Sequence, residues 1–132
     1  MTFVDTSVFV YAVGRDHPRR EPAQAFFVEA RRDQVPLYTS AEVLQELLHV
    51  YLRPKRYREL DEAMTLVSRA MKEVWALEPA DVELARQLER LHPTLAARDL
   101  CHLASCRRRG VHEIETFDEA LATAAANSGT PP

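Results

Sequence analysis

The stretch Phe3-Val4-Asp5-Thr6-Ser7 decides the fold. One aromatic and one β-branched residue favour a buried, pleated strand. An acid and two hydroxyl residues then end it, so the reading is a strand with Asp5 at its carboxyl end. Outward from there, a short helix is expected over Val8 to Val13, broken at Gly14. Ala23, Phe26, Phe27 and Ala30 recur at helical spacing behind Pro22, which makes an amphipathic helix. Leu37-Tyr38 reads as a brief strand after Pro36, and Thr39 or Ser40 caps a helix that runs to about Arg53 and stops at Pro54. Leu60, Ala63, Met64, Val67 and Met71 define the next helix, and Val74-Trp75-Ala76-Leu77 a buried strand. Leu84, Ala85, Leu88 and Leu91 predict a helix ended by Pro93. Ala97 to Arg109 predicts another, stopped by Gly110. Glu113 to Thr116 is a short strand, and Phe117, Ala120, Leu121 and Ala124 mark the last helix.

Strands alternate with helices, and no two strands are joined by a tight hairpin. That pattern predicts an α/β fold, a three-layer α/β/α sandwich around a short-stranded parallel sheet. At 132 residues the chain suits one domain, read as 1–126, with 127–132 as a disordered tail. Nearly half of it is apolar, enough for a core. No apolar run approaches the roughly 20 residues of a membrane span, and the start lacks the basic and apolar regions of a signal peptide. The expected location is the cytoplasm. Cys101 and Cys106 are spaced for neither zinc nor a redox pair and read as small packing residues.

The net charge of −3 argues against nucleic-acid binding by its sum, but not by its distribution. Basic residues cluster at Arg15/Arg19/Arg20, at Arg53/Lys55/Arg56/Arg58 and at Arg107/Arg108/Arg109. Each cluster suits either phosphate or a solvated helix end. Arg15, Arg53, Lys55 and Arg56 are the candidates for contact with a nucleic-acid backbone.

Four acids stand out by position. Asp5 and Asp118 follow the first and last strands, where open parallel sheets build their sites. Glu46 falls roughly 40° from Val50 on a helical wheel, at the border of an apolar arc of Val43, Leu44, Leu47, Leu48 and Tyr51. Asp99 borders the stripe of Leu100, Leu103 and Ala104, in a first turn whose dipole favours an anion. Singly, each has a plain reading as a cap, a turn residue or a solvated flank. Together they fit one site. Converging carboxylates repel and raise their own pKa values, and a divalent cation resolves the conflict. Oxygen donors select Mg²⁺ or Mn²⁺ over zinc.

These segments resemble the motifs of PIN-domain ribonucleases. Val4-Asp5-Thr6-Ser7-Val8-Phe9 is similar to the first motif and Val43-Leu44-Gln45-Glu46-Leu47-Leu48 to the second. Ala97-Arg98-Asp99-Leu100-Cys101-His102-Leu103-Ala104 is similar to the third, and Glu115-Thr116-Phe117-Asp118 to the fourth. The ordered set spans about residues 2–125. The resemblance implies a metal-dependent endoribonuclease, with Asp5, Glu46, Asp99 and Asp118 holding one or two Mg²⁺ or Mn²⁺ ions. It implies water attacking the RNA phosphodiester in line, leaving a 5′-phosphate and a 3′-hydroxyl. Thr6, Ser7 and Thr116 would orient acids or waters. Members of this length resemble VapC toxins, which implies a homodimer and neutralisation by a VapB-type antitoxin. The tail of such an antitoxin can place an Arg or Lys in the acidic pocket. Glu119 stands where relatives often carry a basic residue.

The remaining features read as bystanders. The five histidines form no metal pattern. His102, three residues after Asp99, lies within reach of the site, although a structural or surface role is the plainer reading. Trp75 reads as core or dimer contact, and Tyr51 and Tyr57 flank the basic loop where RNA would pass. An aspartyl phosphatase would want an acid two positions after Asp5, where Ser7 stands. A receiver domain would want adjacent acids after the first strand and a late strand-end Lys, yet the lysines are Lys55 and Lys72. The non-enzyme alternative is a silent PIN fold used for binding.

Overall fold

The computed structural model describes residues 1–127. Four parallel strands lie in the order β3-β2-β1-β4: β1 Thr2–Val4, β2 Leu37–Ser40, β3 Glu73–Trp75 and β4 Glu113–Glu115. Seven helices connect and cover them among the described residues. These are α1 Thr6–Val13, α2 Arg20–Arg32, α3 Ala41–Leu52, α4 Tyr57–Ala70, α5 Pro79–Leu88, α6 Ala97–Arg108 and α7 Glu119–Asn127. The predicted α/β/α sandwich is the fold observed. Asn127 closes α7, so the expected tail begins no earlier than residue 128, outside the described residues.

Register fixes what each face buries. Phe3 pairs with Tyr38, and Tyr38 with Glu73, two residues before Trp75. Because side chains alternate across a sheet, Phe3, Tyr38 and Trp75 form one aromatic row. Their rings stack at 5.6 and 5.3 Å, and Phe3 meets His102 of α6 at 5.3 Å. Trp75 is therefore core, with the Arg109 guanidinium 4.8 Å from its ring centre. Helices α1 to α4 pack among themselves, and α5, α6 and α7 form the other layer. There Ala85, Leu88, Leu95, Leu100, Leu103 and Ala124 make their own cluster.

Several boundaries follow from local chemistry. The Ser40 hydroxyl accepts from the Val43 N–H and caps α3. Gly110, at φ +69°, supplies the left-handed residue just past α6. Helix α1 starts at Thr6, two residues before the apolar run suggested, because Asp5 takes the N-cap position. Helix α5 runs from Pro79 and ends at Leu88, leaving the expected Leu91 exposed. The segment 74–77 is not a buried strand: β3 is an edge strand of three residues in which only Trp75 is buried. Leu48, placed in the apolar arc of α3, is exposed, as is Val50 at its margin, and the buried face there is Val43, Leu47 and Tyr51.

The order places β1 between β2 and β4, so the chain leaves β1 to one side and returns from β3 to the other. Crevices at such reversals, beyond the carboxyl ends of the strands, are where open sheets bind ligands. Asp5 and the β4–α7 turn flank that crevice.

Candidate active site

Asp5 is 5% exposed and sits at the N-cap position of α1, yet its side chain does not cap the helix. Instead Thr116 Oγ1 donates to Asp5 Oδ2 at 2.6 Å, and Ser7 Oγ lies 3.4 Å from the same oxygen. The β4–α7 turn is tied back in turn. The Asp118 N–H donates to Thr116 Oγ1 at 3.0 Å, and the Phe117 N–H donates to Ser7 Oγ at 3.1 Å. Two hydroxyls thus lock the ends of two adjacent strands around one carboxylate, leaving Asp5 Oδ1 facing away from them.

Glu46 reaches the same place from α3. Thr6 Oγ1 donates to Glu46 Oε2 at 2.5 Å, and His102 Nε2 lies 2.9 Å from Oε1. His102 Nε2 is also 3.6 Å from Asp5 Oδ1. Ligand-type atoms of Asp5, Glu46 and His102 all fall within 4.8 Å of one another. Asp118 is exposed at the rim, where its Oδ1 accepts from the Leu121 N–H at 3.0 Å and caps α7. Asp99 is half-buried in the first turn of α6 and faces the other three acids.

The electrostatics record this crowding. Burial and the charges of Asp5, Asp118 and Glu46 push the Asp99 carboxyl up to about 6. The helix dipole expected to favour an anion there is outweighed. Burial also raises Asp5, more than His102, the Thr116 hydroxyl and the Thr6 N–H lower it. Burial would raise Glu46 as well, but hydrogen bonds from His102 and Thr6 reverse the direction and lower it. His102 is 1% exposed. Burial would lower its pKa, but the bond to Glu46 and the charges of Asp5, Glu46 and Asp99 raise it.

His102 is the residue the sequence underweighted. It is not on the surface but wholly buried between two acids. The available signal was its offset of three from Asp99, which puts both on one helix face. The basic candidates separate. Arg15 and Arg56 line one cavity with Tyr11 and Tyr51, and Arg56 is paired with Glu59. Arg53 follows α3 elsewhere on the surface, beside His49 and Leu52, and Lys55 holds the α3–α4 turn at φ +58°. Tyr57 is exposed and Tyr51 is buried rather than flanking an open loop. Both cysteines are free, with Cys106 buried.

The donor set fits a divalent cation. Carboxylates converge where burial and neighbouring acids raise Asp5 and Asp99, and the His102 nitrogen beside them is already engaged by Glu46. No helix among the described residues is long and apolar enough to cross a membrane.

Comparison with known proteins agrees with this geometry. The family model described as PIN domain matches residues 2–127. Ribonuclease VapC23 of Mycobacterium tuberculosis is 56% identical over 124 residues, covering 94% of this chain and 98% of that protein. Ribonuclease VapC13 of the same organism is 35% identical over 118 residues, 89% of this chain and 90% of its own. Among solved structures, M. tuberculosis VapC20, described as a Sarcin-Ricin loop cleaving toxin, superposes with a TM-score of 0.80 at 20% identity. That match covers 94% of this chain and 95% of VapC20. FitAcB of Neisseria gonorrhoeae gives 0.65 at 18% identity, covering 96% and 94%. At these identities the two structures speak to the fold, whereas the family match and the near full-length relatives place this chain in the PIN-domain family, among the VapC proteins.

Proposed function

We propose that this protein is a divalent-metal-dependent endoribonuclease, the toxin of a type II toxin–antitoxin pair, organised as a single domain. The observation that carries the reading is the gathering of Asp5 and Glu46 with His102 beyond the strand ends, beside Asp99, which burial and the charges of Asp5, Asp118 and Glu46 push up to about 6. A pocket of unneutralised acids would repel an RNA backbone; one that holds a cation attracts it. The VapC relatives at 56% and 35% identity carry the name ribonuclease, which supports the same activity here.

Asp5 and Glu46 would hold the cation, with Asp99 and Asp118 completing its surroundings, and the oxygen donors favour Mg²⁺ or Mn²⁺. When bound, the cation supplies charge neutralisation at the scissile phosphate and a lowered pKa for attacking water. The chain's own residues supply position. Thr116 and Ser7 hold one oxygen of Asp5, so the other is presented to the crevice. Thr6 and His102 each take one oxygen of Glu46 and fix its rotamer. Asp118, at the rim, has one oxygen committed to α7 and the other free to meet solvent or substrate.

The partners follow from the same chemistry. RNA is the substrate. A VapB-type antitoxin would neutralise the site by placing an Arg or Lys against the acids. A homodimer is the expected assembly, which sedimentation equilibrium would read as twice the chain mass.

The test is cleavage of a mixed structured RNA pool by purified protein freed of any partner. Mg²⁺, Mn²⁺ and EDTA are compared, beside an Asp5→Asn variant. Metal-dependent cleavage by the wild type, lost in the variant, is expected. Folded wild type that binds no metal and cuts no RNA would contradict the proposal.

A further inference from the structure

A second cavity, of about 300 Å³, opens near the acidic site between the α1–α2 connection and the end of α3. Its lining includes Tyr11, Arg15, Asp16, His17, Tyr51 and Arg56. Tyr51 is 1% exposed, and its hydroxyl is buried without a hydrogen-bond partner. A buried polar atom left unpaired is destabilising and rare. Tyr51 is part of the wall of the open volume, so a ligand seated there that displaces the wall slightly can satisfy the hydroxyl. The walls are aromatic and cationic. Tyr11 and His17 lie 4.7 Å apart at their ring centres, and the Arg56 guanidinium is 5.7 Å from the Tyr51 ring. Arg56 is held by Glu59, while Arg15 is exposed and has no ion-pair partner among the described residues.

The cavity is wired to the acids through two helices. Thr6 and Tyr11 are five residues apart on α1, and Glu46 and Tyr51 are five apart on α3. Five helical residues rise only about 7.5 Å along each axis. Tyr11 also meets Phe117 edge-on at 5.3 Å, and Phe117 adjoins Asp118. Arg19 spans the same two rings at 5.4 and 5.5 Å.

We propose that this cavity is a subsite for one unpaired nucleobase of the substrate close to the scissile phosphate. The Tyr51 hydroxyl bonds the base edge, a ring of Tyr11 or His17 packs on the base face, and Arg15 meets a neighbouring phosphate. Asp16, the carboxylate in the lining, can accept from an exocyclic amine. A cationic rim suits a nucleotide better than the Arg or Lys side chain that would neutralise the acids. The inference rests on the ribonuclease reading above.

The test uses an RNA that the wild type cuts, remade as a series with a single abasic nucleotide at each position around the cut. kcat/KM is measured for wild type, Tyr51→Phe and Arg15→Ala. One abasic position near the cut should lower wild-type kcat/KM by about tenfold or more. Tyr51→Phe should lose about three- to tenfold on intact RNA and be correspondingly less sensitive at that position. It removes only an unpartnered hydroxyl, so its thermal midpoint should match or exceed the wild type's. Arg15→Ala, a surface change, should raise KM with little change in kcat. Identical abasic profiles for wild type and Tyr51→Phe would overturn the subsite and leave the ribonuclease reading intact. So would a Tyr51→Phe enzyme that cuts normally but escapes its co-expressed antitoxin, which would assign the cavity to that partner. A wild type that cuts no RNA with metal present would overturn both.

Discussion

Asp99→Asn should stabilise the metal-free protein at neutral pH while abolishing its activity. A carboxyl raised from 3.8 to about 6 is more readily protonated in the folded chain than in the unfolded one. Its contribution to stability is full below about pH 4 and is lost as pH rises through about 6. At about 1.36 kcal/mol per pKa unit the full difference is about 3 kcal/mol. Asp99 is only half-buried, and solvent screening reduces this to about 1–2 kcal/mol. The assay is urea unfolding in EDTA at several pH values between 4 and 7.5. Wild type should lose about 1–2 kcal/mol more across that range than Asp99→Asn. Near pH 4 the two should agree. Above pH 6 the variant should be the more stable, until Mg²⁺ or Mn²⁺ is added and stabilises the wild type more. Parallel pH curves for the two proteins in EDTA would refute the claim that the acids strain one another. His102 and Asp5 also have raised pKa values and are coupled to Asp99, so the difference between the two proteins reports Asp99 together with that coupling.

Three other outcomes follow from named contacts. Thr116→Val removes the donor to Asp5 and the acceptor for the Asp118 N–H, and should weaken metal affinity about 10–100-fold, measured by Mn²⁺ titration. Asp81→Ala should cost about 3 kcal/mol in urea unfolding, because Arg108 and Arg109 both bond that fully buried carboxylate. Burial would raise Asp81, but the Glu78 N–H and the two arginines lower it, so its stabilisation persists above pH 4 and fades only in stronger acid. His102→Ala should leave Glu46 with one partner in place of two, so cation affinity should fall while circular dichroism stays native.

The placement of the acids was more legible in the sequence than that of the residues around them. Asp5 was readable because an apolar pair ends on it, and Ser40 and Gly110 because caps obey local backbone chemistry. Glu46 was readable from helical phase, since a border position is where a carboxylate can face a crevice. Helical phase failed for Leu48 because it defines an apolar arc and not which part of that arc meets a neighbour. The strand at Val74 misled for a related reason: an apolar β-branched residue on an edge strand looks the same as one in the centre. Leu91 fits the period of α5, yet the helix ends at Leu88. His102 was invisible as a partner because its role depends on Phe3, Asp5 and Glu46, which only the folded sheet brings beside α6. The strand order, and with it the crevice between β1 and β4, is likewise set by long-range packing.

The most direct measurement is calorimetric titration of Mn²⁺ into wild type and into Asp5→Asn, Glu46→Gln, Asp99→Asn and Asp118→Asn, with folding of each checked by thermal melting. Saturable binding by the wild type, weakened in all four variants, is the predicted result. A folded wild type that binds no cation, or variants that all bind it as the wild type does, would contradict the account.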